Sequence, residues 1–211
     1  MTLENFFADV EEQLTQELEA EIRDQLADDE RQRLARLSLR DRIRLMSGSR
    51  RVADSPPVQL RLKSGQRLSV SPVTHGRDWF AADILEPADV VGHALVSIAA
   101  IAALIPTPDQ LQRSLGDPVT SLSRDDEESL RPPKARLTDQ IGLPFVLRDL
   151  SRRRKPVELH TSQGICAGTI DRVGSDHLDL AVHAPDQMRR ASGVSEVRIV
   201  AISDIALVRL L

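Results

Sequence analysis

Histidine and cysteine are the residues of this chain best suited to catalysis or metal binding, and their spacing is typical of neither. The five histidines are His75, His93, His160, His177 and His183. His177 and His183 are expected at the two ends of one strand, about 20 Å apart, which is too far for one metal ion. Cys166 is the single cysteine, so no internal disulfide forms, and a reducing, cytoplasmic setting is expected. The chain has no glycine-rich phosphate loop and no serine nucleophile elbow. We therefore expect a binding protein with no cofactor and no metal rather than an enzyme.

Arginine offers a different chemistry, because clustered guanidinium groups bind the phosphates of nucleic acids. Residues 31–51 contain eight arginines and only Asp41 as an acid, and the run Arg152-Arg153-Arg154-Lys155 forms a second cluster. From these clusters we predict the following nucleic-acid contacts: Arg33, Arg36, Arg40, Arg152, Arg153, Arg154 and Lys155. The simpler alternative is that both clusters are solvated. The second would then lie at a helix C-terminus, where the helix dipole favours positive charge.

Aromatic rings that stack on bases are scarce, since the chain has four Phe, one Trp and no Tyr. Trp79 and His177 are predicted on the outer face of equivalent strands. The net charge of −4 argues against a dedicated, sequence-independent DNA-binding protein and leaves room for a local basic site. Arginine far outnumbers lysine, which is typical of a high-GC bacterial genome.

The N-terminal segment predicts one long helix over residues 3–46. Apolar residues recur every four positions, and no Pro or Gly interrupts them before Gly48: Val10, Leu14, Leu18, Ile22 and Leu26. Residues 1–30 hold eleven acids and only Arg23 as a base, whereas residues 31–51 are basic. The apolar stripe is expected to pack on the rest of the chain or on a second copy. The charge split favours antiparallel pairing in a homodimer through this helix.

No segment resembles a signal peptide or a transmembrane helix, so no membrane partner is expected. The N-terminus turns acidic at Glu4, where a signal peptide needs basic residues followed by an apolar run. The most apolar stretch, Val90 to Ile105, falls short of the roughly 20 residues that span a bilayer. We interpret that stretch as strands.

The rest of the chain contains an internal repeat. Pro57-Val58-Gln59-Leu60 matches Pro156-Val157-Glu158-Leu159, and further blocks recur in the same order through 57–105 and 156–210. The second copy predicts five strands, at about 156–161, 165–173, 177–183, 194–202 and 205–210. Five short strands with one apolar face are expected to curl into a small barrel. The predicted regions are a charged helix (1–50), a barrel (51–106), an acidic and Pro-containing linker (107–136), and a helix with a second barrel (137–211).

Each copy resembles the Sm-like family of small β-barrels. The resemblance rests on a Val-x-Leu strand, a Gly turn, an alternating third strand, and a closing strand pair broken by one turn at Ser203-Asp204. It implies a mainly β protein with α elements. That fold has two tandem five-stranded Sm-like (SH3-like) barrels, a long N-terminal helix and a partly helical linker. The resemblance also implies RNA binding, with His177 and Trp79 at the position where the family stacks a base, and we include both among the predicted nucleic-acid contacts. Asp179 and Ala81 replace the family's base-reading Asn.

Function at this stage has two interpretations. The first is a non-catalytic adaptor that contacts RNA through its basic clusters. The alternative is a protein–protein interaction scaffold or assembly module without nucleic-acid binding, favoured by the few aromatic residues and the net negative charge. The strands near 95–99 and 205–210 are predicted sheet edges, and the simplest arrangement pairs them. An outward Trp79 is expected to be covered by the N-terminal helix, by the other barrel or by a base.

The linker is predicted to be disordered or to form a short exposed helix, with an acidic run at 125–128. Residues 137–150 predict a helix with Leu137, Ile141, Phe145 and Leu150 near one face. Pro144 places the start of that helix close to itself.

Overall fold

The structure, a computed structural model, describes residues 3–47, 56–115, 137–184 and 194–211. Five helices lie in these ranges: α1 (Leu3–Arg36), α2 (Leu39–Ser47), α3 (Pro108–Leu115), α4 (Leu137–Gln140) and α5 (Leu143–Arg152). None of the described helices is long and apolar enough to cross a membrane.

Ten strands carry the two repeats. They are β1 (Val58–Leu62), β2 (Arg67–His75), β3 (Trp79–Glu86), β4 (Gly92–Ser97), β5 (Ile101–Ile105), β6 (Pro156–Thr161), β7 (Gly164–Val173), β8 (His177–Val182), β9 (Glu196–Ala201) and β10 (Ile205–Leu210). The five strands predicted for the second repeat are confirmed, each bound to within two residues. The predicted one-turn break before the last strand is also confirmed, as a short 3-10 turn at Ile202–Asp204.

The strands form one open antiparallel sheet in the order β5-β1-β2-β3-β4-β10-β6-β7-β8-β9. The prediction of two separate closed barrels is not met by the described strands. The physical reason is that β4 of the first repeat hydrogen-bonds to β10 of the second, with Leu95 opposite Val208. That pairing of the two predicted edge strands is confirmed, and it makes the sheet continuous.

The two repeats share their buried residues across this junction. The first core, around Phe80 and Leu60, includes Ala206 and Leu207 from β10. The second core, around Leu159 and Leu178, includes Trp79 from β3. Neither repeat therefore encloses its core with its own strands alone.

The N-terminal helix is not the single helix that the sequence predicts, because α1 ends at Arg36 and α2 begins at Leu39. Ser38, at the break, is a residue type that favours helix starts over helix interiors. The predicted apolar stripe of α1 is exposed at Leu18, Ile22 and Leu26. Pairing of this helix with a second copy remains a prediction.

Helix α2 belongs to the first repeat, since its Ile43 and Met46 lie fully buried in the first core. It packs beside α3, and the Arg42 guanidinium donates to Ser114 Oγ at 2.9 Å. Part of the predicted linker is thus an ordered helix with a buried face. The rest of that linker, with its acidic run, lies outside the described residues.

The helical segment before the second repeat is broken at Ile141–Gly142 into α4 and α5. Pro144 stands in the first turn of α5, as predicted. The predicted apolar face is correct at Leu150, which is buried, and at Ile141, which is partly buried, but wrong at Leu137 and Phe145, which are exposed. The break shifts the helical phase, and the residues that enter the second core are Leu143, Leu147 and Leu150.

Candidate nucleic-acid interface

The turn between the second and third strands is built in the same way in both repeats. In the first repeat, the Gly76 N–H donates to the Trp79 carbonyl at 2.8 Å. A side chain at Gly76 would collide with the Trp79 ring, so glycine is needed for the ring to lie over the turn. In the second repeat, Gly174 and His177 reproduce the hydrogen bond at 2.8 Å and the close approach of ring to glycine.

The acid before each ring also has the same role in the two turns. The Asp78 carbonyl accepts from the Ile98 N–H at 3.0 Å, and the Asp176 carbonyl accepts from the Ile202 N–H at 2.7 Å. Each hydrogen bond ties the turn to the 3-10 segment before the last strand. The internal repeat therefore extends to individual hydrogen bonds.

The first-repeat turn is covered by the connection between α4 and α5. The Trp79 indole N–H donates to the Ile141 carbonyl at 2.9 Å, and the residue is only 6% exposed. The Asp78 carboxylate accepts from the Leu143 N–H at 2.7 Å, at the start of α5. The second repeat and its helix thus cover the predicted outward Trp. Trp79 presents no open ring face to a base.

The second-repeat turn stays open. The His177 side chain is 50% exposed, and its Nδ1 lies 2.8 Å from Asp176 Oδ1. This hydrogen bond lowers the pKa of the Asp176 carboxyl below its ordinary value. Helix α5 borders the turn, since the Arg148 guanidinium donates to the Gly174 carbonyl at 2.9 Å. The half-exposed imidazole and the Arg148 guanidinium thus both lie against Gly174.

The predicted basic cluster, Arg152–Lys155, lies at the C-terminal end of the same helix. We call these four residues the basic run. Its backbone closes α5: the Arg153 N–H donates to the Asp149 carbonyl at 3.0 Å, and the Lys155 N–H donates to the Leu150 carbonyl at 3.2 Å. Arg154 has a positive φ of 49°, as residues ending helices often do. The predicted placement at a helix C-terminus is confirmed, and all four side chains are exposed.

Two members of the basic run share one acid. Arg152 and Arg153 each bind an oxygen of Asp149, at 2.9 and 2.7 Å. The hydrogen bond from Arg152, helped by Arg153, holds the pKa of Asp149 below its ordinary value. Arg154 and Lys155 form no ion pair with any described residue. Arg148 and Arg152 are one helical turn apart, so positive charge extends from the basic run to the His177 turn.

The other predicted contacts lie elsewhere. Arg33 binds Glu30 through two hydrogen bonds of 2.6 Å in the last turns of α1, and Arg36 is exposed in the same helix. Arg40 lies in α2 and forms an ion pair with Asp139 of α4 at 2.6 Å. The structure gives Arg40 a packing role between two helices and leaves its side chain 23% exposed.

Sequence reasoning missed Arg148, although it stands four residues before Arg152. The four-residue spacing places Arg148 and Arg152 on one face of a helix. Assigning Arg148 to the candidate site also required knowing that α5 lies against β7. Among the described residues, no group of three or more His, Cys, Asp or Glu is placed to hold a metal ion. Cys166 is half-buried, and its sulfur accepts a hydrogen bond from Arg198 at 2.8 Å.

Comparison of the chain with protein-family models, with curated proteins and with solved structures gave no match. The likeness to Sm-like proteins therefore rests on the sequence motifs alone.

Proposed function

We propose that the protein is a non-catalytic adaptor that binds single-stranded RNA on the surface formed by His177, Arg148 and the basic run. The observation that carries this proposal is the open second turn. There a half-exposed ring and the Arg148 guanidinium both lie against Gly174, whereas the equivalent ring of the first repeat is buried. Base stacking on a ring, combined with phosphates held by cations, is the common mode of single-strand binding.

The chemistry of this surface favours weak sequence selectivity. Guanidinium and ammonium groups bind phosphates, which carry no sequence information. Asp179, in the place where Sm-like proteins carry a base-reading Asn, only accepts hydrogen bonds and repels phosphate. The resemblance to Sm-like proteins supports RNA as the ligand within this proposal.

The proposal is tested by filter binding of an unstructured RNA to the full chain over a range of salt concentrations. The test variant replaces Arg152, Arg153 and Lys155 with Gln. The control replaces Arg61, Lys63 and Arg67 of the β1–β2 hairpin with Gln, which removes the same charge from exposed positions of the first repeat. Each phosphate contact with a single strand contributes about 0.7 to the slope of log affinity against log salt. We expect the test variant to lower that slope by about 2 and the control to leave it nearly unchanged.

Two outcomes contradict the proposal. Equal losses in both triple variants mean that RNA is attracted by overall charge and not by this surface. No RNA retention by the wild-type chain at low salt favours the protein-interaction scaffold. That alternative has its own support in β5 and β9, the outer strands of the sheet, which among the described strands each pair on one side only.

A further inference from the structure

Helix α1 carries an apolar face that no described residue covers. The chain divides into two compact units, and α1 makes up most of the first. Leu18, Ile22 and Leu26 recur every four residues, so they lie within about 80° of the helix surface. Their side chains are between 47% and 63% exposed. A long helix in water usually gains its stability by packing such a face against a partner. We call these three residues the exposed stripe.

The apolar positions of α1 are arranged almost symmetrically about Ile22. The apolar residues separated by multiples of four are Val10, Leu14, Leu18, Ile22, Leu26 and Leu34. If two copies of the helix lie antiparallel with Ile22 opposite Ile22, residues equally far before and after it lie opposite each other. Leu18 is then opposite Leu26, and Val10 is opposite Leu34. Only Leu14 has a charged residue, Glu30, opposite it.

The charges at the two ends of α1 are complementary about the same centre. In this arrangement residues 31–36 of one copy lie opposite residues 8–13 of the other. The first segment has three bases and no acid: Arg31, Arg33 and Arg36. The second has three acids and no base: Asp9, Glu11 and Glu12. A parallel pair would instead place each segment beside its own copy, with like charges together.

Two of the three arginines also bind an acid one turn earlier in their own helix. Arg31 pairs with Asp28, and Arg33 pairs with Glu30 at 2.6 Å. Both pairs lie at the helix surface, where an ion pair contributes little and does not prevent a second acid from approaching. Arg36 is exposed and has no acid one turn earlier. The segment therefore keeps an attraction for acids of a second copy.

We propose that α1 of one copy packs antiparallel against α1 of a second copy, centred on Ile22, and that this contact makes the protein a dimer. The occupant of the exposed stripe is a second copy because the apolar positions and the charged ends are both complementary to themselves about the same residue. The contact is isologous, so it is complete with two copies. The proposal does not depend on RNA binding.

Sedimentation velocity of the full chain tests the contact. The test variant is Ile22→Lys, which brings two lysines together at the centre. The control is Ala20→Lys, because Ala20 is exposed and lies on the opposite side of the helix from Ile22. Both variants add the same charge to α1. We expect wild type and Ala20→Lys to change from monomer to dimer as the concentration rises, and Ile22→Lys to stay monomeric at the same concentrations.

Charge exchange tests the antiparallel orientation. Arg33→Glu combined with Arg36→Glu places acids beside the acidic segment of the second copy. This variant should raise the dissociation constant of the dimer by about tenfold or more, since four attractive contacts become repulsive. Glu11→Arg combined with Glu12→Arg should have the same effect. All four changes in one chain should restore the wild-type dissociation constant, because both ends are then reversed together.

Three outcomes overturn the proposal. The first is a wild-type chain that stays monomeric at every concentration. The second is a dimer that Ile22→Lys retains, which places the contact outside α1, for example at an edge of the sheet. The third is a dimer of the Arg33→Glu, Arg36→Glu variant that is as tight as that of wild type. The helices would then lie parallel, because like-charged segments already face each other in that arrangement.

Circular dichroism establishes that each variant is folded. If Ile22→Lys is not folded, Ile22→Gln and Ala20→Gln replace the pair, since glutamine has a high helix propensity and adds no charge. The expected result is the same: dimers for the control and monomers for the test variant. Dimers formed equally by both glutamine variants overturn the proposal.

Discussion

At the scale of single residues, two equivalent glycines each lie against an aromatic ring, and the two rings differ in how much space surrounds them. Gly76 and Gly174 each bring a backbone turn against the ring three positions later. The Trp79 ring is buried and bonded to Ile141, so it has no room to move aside. The His177 ring is half exposed and hydrogen-bonds to the exposed Asp176 side chain, so it has solvent to move into.

We therefore expect Gly76→Ala to lower the free energy of unfolding by about 1–3 kcal/mol, the usual cost of forcing extra volume into a packed site. Gly174→Ala should cost less than about 1 kcal/mol, because the His177 ring yields. Urea unfolding of the two variants measures both values. Equal costs would mean that Trp79 is less tightly held than its contacts indicate.

At the scale of elements, α5 connects the two repeats through its first turn and its buried face. Its first turn is held by Asp78, whose carboxylate accepts from the Leu143 N–H. Its last turn carries the basic run, where the helix dipole favours positive charge. Its buried face contributes Leu143, Leu147 and Leu150 to the second core. The helix that carries the candidate RNA contacts is thus positioned by the first repeat.

Replacing the acid that holds the start of α5 should destabilise the protein. We expect Asp78→Ala to lower the free energy of unfolding by about 1 kcal/mol, the typical value of a helix-capping side chain. The matched control is Asp176→Ala in the second repeat, where the side chain is 85% exposed and no helix begins. Chemical denaturation compares the two. A larger cost at Asp176 would show that the second-repeat turn contributes more to the free energy of unfolding than the contact of Asp78 with the start of α5.

At the scale of the whole molecule, the two repeats use equivalent positions for different purposes. The first repeat places Trp79 inside the shared core, and the second leaves His177 at the surface. A duplicated structure has thereby one turn that joins the repeats and one turn that is available to a ligand.

This division of roles predicts opposite effects of two alanine substitutions. Trp79→Ala should lower the free energy of unfolding by about 3–5 kcal/mol, the usual cost of removing a buried Trp ring. Its effect on RNA affinity at temperatures where it stays folded should be small. His177→Ala should leave the melting temperature nearly unchanged and weaken RNA binding by about 1–3 kcal/mol, the value of one stacked base. Thermal melting and filter binding of both variants measure these effects, and the reverse pattern would assign the ligand contact to Trp79.

The sequence by itself determined the local features of this protein. Turn glycines, alternating apolar residues and the recurring blocks located all five strands of the second repeat, within two residues at each end. These features follow from short-range rules, since side-chain alternation and turn conformations depend on residues close in the chain. The position of the basic run at a helix end was predictable for the same reason.

Only the tertiary structure decided how the repeats combine and which surface is open. The sequence predicts two closed barrels, but in the structure β10 continues the sheet beyond β4. The backbone groups of an edge strand can bond to a strand of their own repeat or to a strand of the other repeat, so local sequence does not decide between a closed barrel and a continuous sheet. The outward strand register of Trp79 is correct, yet its burial depends on Ile141, 62 positions away. The break between α4 and α5 likewise moves the buried face to Leu143 and Leu147. Burial of an outward residue is set by whichever distant element packs over it, and local sequence patterns do not contain that information.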